Sequence, residues 1–181
     1  MRASSLILIG ALVMRASAST ITYNTDGFFN GGMILHSTAG ATASLTFTPD
    51  GNTTVGVPSG INFGQFTLSC PGCGTQASGQ DSSFNPFTID LVVTDLTDNA
   101  TGVFVGTSTG GLVFSDVSQI GINWSPAQLG PGDSNAISGN FGPTAVTISN
   151  SFTQIVAPNS GTDPDQTTVE GSVLTRFQSQ R

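Results

Sequence analysis

Along most of this chain apolar and polar residues alternate with period two. No stretch of ten or more residues places apolar side chains at helical spacing. Ala43, Leu45 and Phe47 alternate with Ser44, Thr46 and Thr48, the pattern of a half-buried strand. Pro49-Asp50-Gly51-Asn52 then supplies turn chemistry before Thr53-Thr54-Val55-Gly56-Val57. Phe87, Ile89, Leu91 and Val93 alternate with Thr88, Asp90, Val92 and Thr94. After the turn-forming Asp98-Asn99-Ala100-Thr101-Gly102, Val103-Phe104-Val105 completes a hairpin. The alternation returns at Ile120, Ile122 and Trp124, at Val146 and Ile148, and over residues 152–156 and 167–174. Ser59-Gly60-Ile61-Asn62-Phe63-Gly64 echoes Ser138-Gly139-Asn140-Phe141-Gly142. Each string leads into an alternating strand, and so short an echo reads as a recurrent turn-to-strand entry. Short strands between Gly, Asn, Asp and Pro predict an all-β fold. The expected form is an antiparallel β-sandwich, jelly-roll or Ig-like, with about nine to eleven strands and almost no helix apart from the leader.

Composition narrows the partners. The chain has 181 residues, of which 37% are hydrophobic, enough for the core of one domain. Only 8% are charged, against roughly 25% in an average soluble domain. The cations are Arg2, Arg15, Arg176 and Arg181, there is no Lys, and the formal net charge is -7. All the acids lie between Ser19 and Thr175, where no side chain carries a permanent positive charge. Nothing there can neutralise a phosphate backbone or hold an anionic lipid surface, so neither nucleic acid nor a charged membrane is expected as a partner. The missing Lys also leaves sheet edges without their usual blocker.

Residues 1–18 have the three parts of a secretory signal peptide. Arg2 is the positive n-region, residues 6–14 (LILIGALVM) form the apolar h-region, and Ala16-Ser17-Ala18 is the cleavage site. The apolar run is too short to span a bilayer. The expected organisation is thus a leader over 1–18, one β-sandwich domain over 19–175 and a short tail over 176–181. Residues 158–166 read as a long loop within that domain. Export accords with Cys70-Pro71-Gly72-Cys73, where the expectation is a structural disulfide pinning a tight turn, or a pair of idle thiols. A redox C-x-x-C would need a helix after it, and Gly74-Thr75-Gln76-Ala77-Ser78-Gly79 is a loop sequence. Zinc would need two further ligands, and His36 is the sole histidine.

The chain then resembles a family. Its leader, its Thr/Gly/Asn-rich all-β body and the strings Ile61-Asn62-Phe63-Gly64-Gln65-Phe66 and Phe87-Thr88-Ile89-Asp90-Leu91 look like bacterial exported proteins of the PEP-CTERM type. That resemblance implies a surface- or matrix-associated protein and brings no catalytic residues to carry over. Members of the family finish with a Pro-Glu-Pro motif, a transmembrane helix and a basic cluster. This sequence finishes with Arg176-Phe177-Gln178-Ser179-Gln180-Arg181, without that sorting tail, so the expectation is a freely secreted or a truncated form, with no membrane span in the mature chain.

The remaining motifs compete for chemistry. Gly106-Thr107-Ser108-Thr109-Gly110 matches the G-x-S-x-G nucleophile elbow, but the strand-like Gly111-Leu112-Val113-Phe114 follows it, and His36 precedes the serine. Among Asp90, Asp95, Asp98, Asp116 and Glu170, no spacing selects a glycosidase pair. Calcium is the better use of acids. Asp95, Asp98 and Asn99 place two carboxylates and an amide at one hairpin end, and Asp163-Pro164-Asp165 forms a second pair on a loop. Trp124 invites a sugar-platform reading, but it shares a face with Ile120 and Ile122 and is expected in the core. His36 has no identifiable partner. Asn52, Asn99 and Asn123 begin N-x-S/T sequons, relevant only in a eukaryotic host.

Three functional readings follow. The first is a non-enzymatic extracellular or cell-surface structural protein without a cofactor. The second is a carbohydrate-binding module assisted by calcium, with a polysaccharide as partner. The third is a self-assembling surface or fibre subunit. Exposure of Tyr23 or Trp124 beside an acidic loop would favour the second, and burial of both would favour the first.

Overall fold

The computed structural model describes residues 19–30, 32–97, 99–125, 144–159 and 165–175. The expected leader over 1–18 and tail over 176–181, the Ser138–Gly142 echo, Asp98 and Asp163 lie outside the described residues. In chain order the strands are β1 (Ser19–Phe29), β2 (Ile34–His36), β3 (Ala39–Gly40), β4 (Ser44–Pro49), β5 (Thr53–Val57), β6 (Ser59–Ser69) and β7 (Ser82–Phe84). They continue with β8 (Phe87–Asp95), β9 (Ala100–Ser108), β10 (Gly111–Val113), β11 (Gly121–Trp124), β12 (Thr144–Ile148), β13 (Phe152–Gln154) and β14 (Gln166–Thr175). The helical content among the described residues is one 3-10 turn, Gln76–Ser78.

The strands form an antiparallel β-sandwich with curled sheets. One sheet runs β13-β11-β9-β8-β1-β5 and the other β12-β14-β6-β4-β2, with a small β10-β7-β3 ribbon beside them. The described residues hold 14 strands, β1 to β14, which corrects the expectation of nine to eleven. The additions are β1 and the short β2, β3 and β7. Strands of two or three residues are too brief to display alternation, and the inward series of β1 is interrupted by Thr25 and Gly27.

Alternation elsewhere becomes burial. Phe87, Ile89, Leu91 and Val93 of β8 point inward, and β9 answers with Phe104, which is fully buried. The β8–β9 hairpin keeps an unbroken register from Phe87↔Ser108 to Asp95↔Ala100. On the facing sheet β6 breaks phase: Ile61 and Phe63 are inward, and so are Phe66 and Leu68. A bulge accounts for this. The register with β14 shifts between Val169↔Gly64 and Glu170↔Asn62, so Phe63 is the extra residue, and Gly64 sits at φ 127. Both Phe63 and Phe66 thereby reach one core. Phe63 meets Phe104 at 5.7 Å between ring centroids, Phe66 meets Phe47 at 5.0 Å, and Phe29 lies between Phe66 and Phe87. Of these, the tilted Phe63–Phe104 and Phe29–Phe66 contacts cross between the two large sheets and tie them together.

Candidate functional site

The Asp95–Asn99 turn closes the β8–β9 hairpin. Asp95 ends β8 on the inward side and is fully buried, while Asn99 is exposed and left-handed at φ 53. Asp95 Oδ1 accepts the Thr97 N–H at 2.8 Å, the side-chain turn that Asp favours. The turn is stitched to β1 as well. Leu96 N–H donates to the Thr22 carbonyl at 2.7 Å, and Thr22 N–H donates to Thr97 Oγ1 at 2.8 Å. The fold therefore brings Asp95 and Asn99 to the two arms of one turn and commits an Asp95 oxygen to the main chain. The third predicted ligand, Asp98, lies outside the described residues, as does Asp163 of the second acidic pair. Among the described residues no cluster of three or more His, Cys, Asp or Glu side chains could hold a metal ion.

Cys70 and Cys73 are joined by a disulfide, with their Cα atoms 5.4 Å apart. It closes the Pro71-Gly72 turn, where Cys73 N–H donates to the Cys70 carbonyl at 3.2 Å. The chain then makes the short turn at Gln76–Ser78, whose Gln76 N–H donates to Asp116 Oδ1 at 2.8 Å. Asp116 thus serves a loop. An open cleft beside the disulfide is lined by Thr67, Ser69, Cys70, Cys73, Asn159 and Asp165.

The serine of the G-x-S-x-G string is almost buried at the end of β9. Its Oγ accepts the Gly110 N–H at 3.1 Å, and β10 follows instead of a helix. The hydroxyl braces a strand-to-strand turn and is not presented as a nucleophile. His36 is exposed on β2.

Both prospective platform aromatics are interior. Trp124 is 3% exposed, and its indole N–H donates to Thr153 Oγ1 at 2.9 Å. Tyr23 is 1% exposed, and its hydroxyl donates to the Asn62 carbonyl at 3.0 Å, with Asp50 Oδ2 at 3.4 Å. Burial first, and the Asp50 carboxylate next, push the phenol up to about 12. Thr25, on the same strand, donates to the Phe63 carbonyl at 2.7 Å and accepts the Asp50 N–H at 2.8 Å. This Tyr23–Thr25–Asp50 anchor joins β1 to the β4–β5 turn and to the β6 bulge. Sequence reasoning missed it, because Asp50 in Pro-Asp-Gly-Asn has the same signature as any turn aspartate.

Compared with family models, curated proteins and solved structures, the chain matches none. Among the described residues no helix is long and apolar enough to cross a membrane.

Proposed function

We propose that this chain is a non-enzymatic, exported structural protein of the extracellular matrix or cell surface. The observation that carries the reading is the fate of Tyr23 and Trp124. Both rings are spent on the core and both polar ends are bonded internally, so neither face is offered to a pyranose. The Cys70–Cys73 disulfide suits an oxidising compartment, in keeping with the leader. The Ser108 hydroxyl is enclosed in a turn, Asp95 and Asp116 accept main-chain N–H groups of turns, and Asp50 belongs to the Tyr23–Thr25 anchor. A body without permanent cations is poorly matched to nucleic acid.

The test is binding of residues 19–181 to a panel of polysaccharides, with calcium and then with chelator. The expected result is no saturable binding by a folded sample. Saturable binding to one glycan class would replace this reading with a carbohydrate-binding module. Sensitivity of that binding to chelator would direct attention to Asp95, Asp98 and Asn99.

A further inference from the structure

β5 is an edge strand with no strand paired to its outer side among the described residues. It lies at the end of the six-stranded sheet, paired on one side to β1 from Ser19↔Val57 to Tyr23↔Thr53. Among the described residues no hydrogen bond reaches its outer side. An edge is ordinarily blunted by Lys or another charge, by Pro within the strand, or by a bulge. Thr53-Thr54-Val55-Gly56-Val57 has none of these, and its register with β1 is even. The other edges differ. β2 and β13 are three residues long, and β12 adjoins residues outside the described set. On β13, Gln154 Nε2 also folds back to donate to the Ile120 carbonyl at 2.8 Å.

We propose that β5 pairs with β5 of a second copy, antiparallel, about a two-fold axis through Val55. The strand is complementary to itself in that register. Val55 meets Val55 of the other copy, and Thr53 meets Val57. Thr54 meets Gly56, whose missing side chain would point into open space with nothing within 4 Å. That vacancy takes the Thr54 side chain of the other copy on the outer face. Thr54 already shows how such a row is built, since its hydroxyl lies 2.8 Å from that of Thr22 across the β1–β5 pair. No charge is placed opposite a like charge, because β5 carries none. A contact centred on a dyad closes on itself, so the product is a dimer and not a filament.

The pairing deepens the structural reading above, yet fails separately from it. A strict monomer would remove the dimer and leave the glycan test to decide the function.

The experiment is sedimentation of the purified chain over a rising concentration series. The expected result is a reversible rise of the mean mass toward twice that of the monomer. Added salt should tighten the association by screening repulsion between bodies of net charge -7. Gly56→Lys enters open space, so it should leave the melting temperature of the dilute monomer unchanged while weakening association at least tenfold, as a charged edge does. In a second arm, Thr54→Cys and Gly56→Cys proteins under mild oxidation should cross-link efficiently only when mixed. A monomer at every concentration would overturn the proposal, even if the edge captured an extended foreign peptide. So would an association that Gly56→Lys leaves intact, or a mixture of the two cysteine variants that associates without cross-linking.

Discussion

β8 and β1 are neighbours in one sheet, paired from Tyr23↔Asp95 to Phe29↔Ile89, and both bury alternate residues. They fill the inward positions differently. Before its terminal Asp95, β8 uses Phe87, Ile89, Leu91 and Val93 and supplies its own apolar bulk. β1 uses Ile21, Tyr23, Thr25, Gly27 and Phe29, of which Thr25 is buried and polar and Gly27 has no side chain. The reason lies across the sandwich. The Phe47 ring occupies the place a side chain at Gly27 would need, and the Phe63 carbonyl waits for the Thr25 hydroxyl. A core strand can therefore be thin and polar where the opposite layer brings the volume and the acceptors.

Substitutions can break this contrast. Leu91→Ala removes bulk that nothing else replaces, and should cost about 3–4 kcal/mol in urea unfolding. Gly27→Ala does the reverse by adding a methyl where the Phe47 ring already sits, and should cost about 2 kcal/mol. Pairing it with Phe47→Leu should recover part of that loss, so a strictly additive double mutant would refute the packing account. Tyr23→Phe should cost about 1 kcal/mol at neutral pH, since it removes one hydrogen bond from the Asn62 carbonyl. Its sharper signature is in alkali. The folded phenol titrates at about 12 against an ordinary value of 10.0, so the native state keeps its proton where the unfolded chain has lost it. The resulting stabilisation is fully present below pH 10 and is lost as pH rises from 10 toward 12. The Phe variant should show a flatter stability curve across that window.

The same contrast explains what could be read from the sequence. β8 and β9 were legible because their inward residues are apolar and their turn signal is local. β5 was legible with its observed ends, Thr53–Val57. β1 was not, since Thr25 and Gly27 interrupt the apolar series for reasons set by Phe47 and Phe63, distant in the sequence. β3 and β7 escaped because their definition is tertiary: Ser82 Oγ donates to the Ala41 carbonyl at 2.6 Å, and Ala39 pairs with Ser83. In the candidate site, Ile120-Ile122-Trp124 placed the indole inside correctly, because alternation fixes a side chain's face. Asp95 is harder to read. Its position at a hairpin end was clear, but its full burial depends on continuing the β8 inward series one step past Val93.

The chain has one tryptophan and one tyrosine, and each is sealed in a different part of the six-stranded sheet. Trp124 lies opposite Gly106 in the β11–β9 pair, while Tyr23 lies opposite Thr53 at the β5 edge. Optically the molecule is therefore labelled without any dye. Near-ultraviolet emission excited at the indole has a single origin, and its red shift on unfolding reports the β9–β11 side alone. The ultraviolet change on phenol ionisation likewise reports the β1–β5 side alone. Disagreement between the two signals would locate where opening begins.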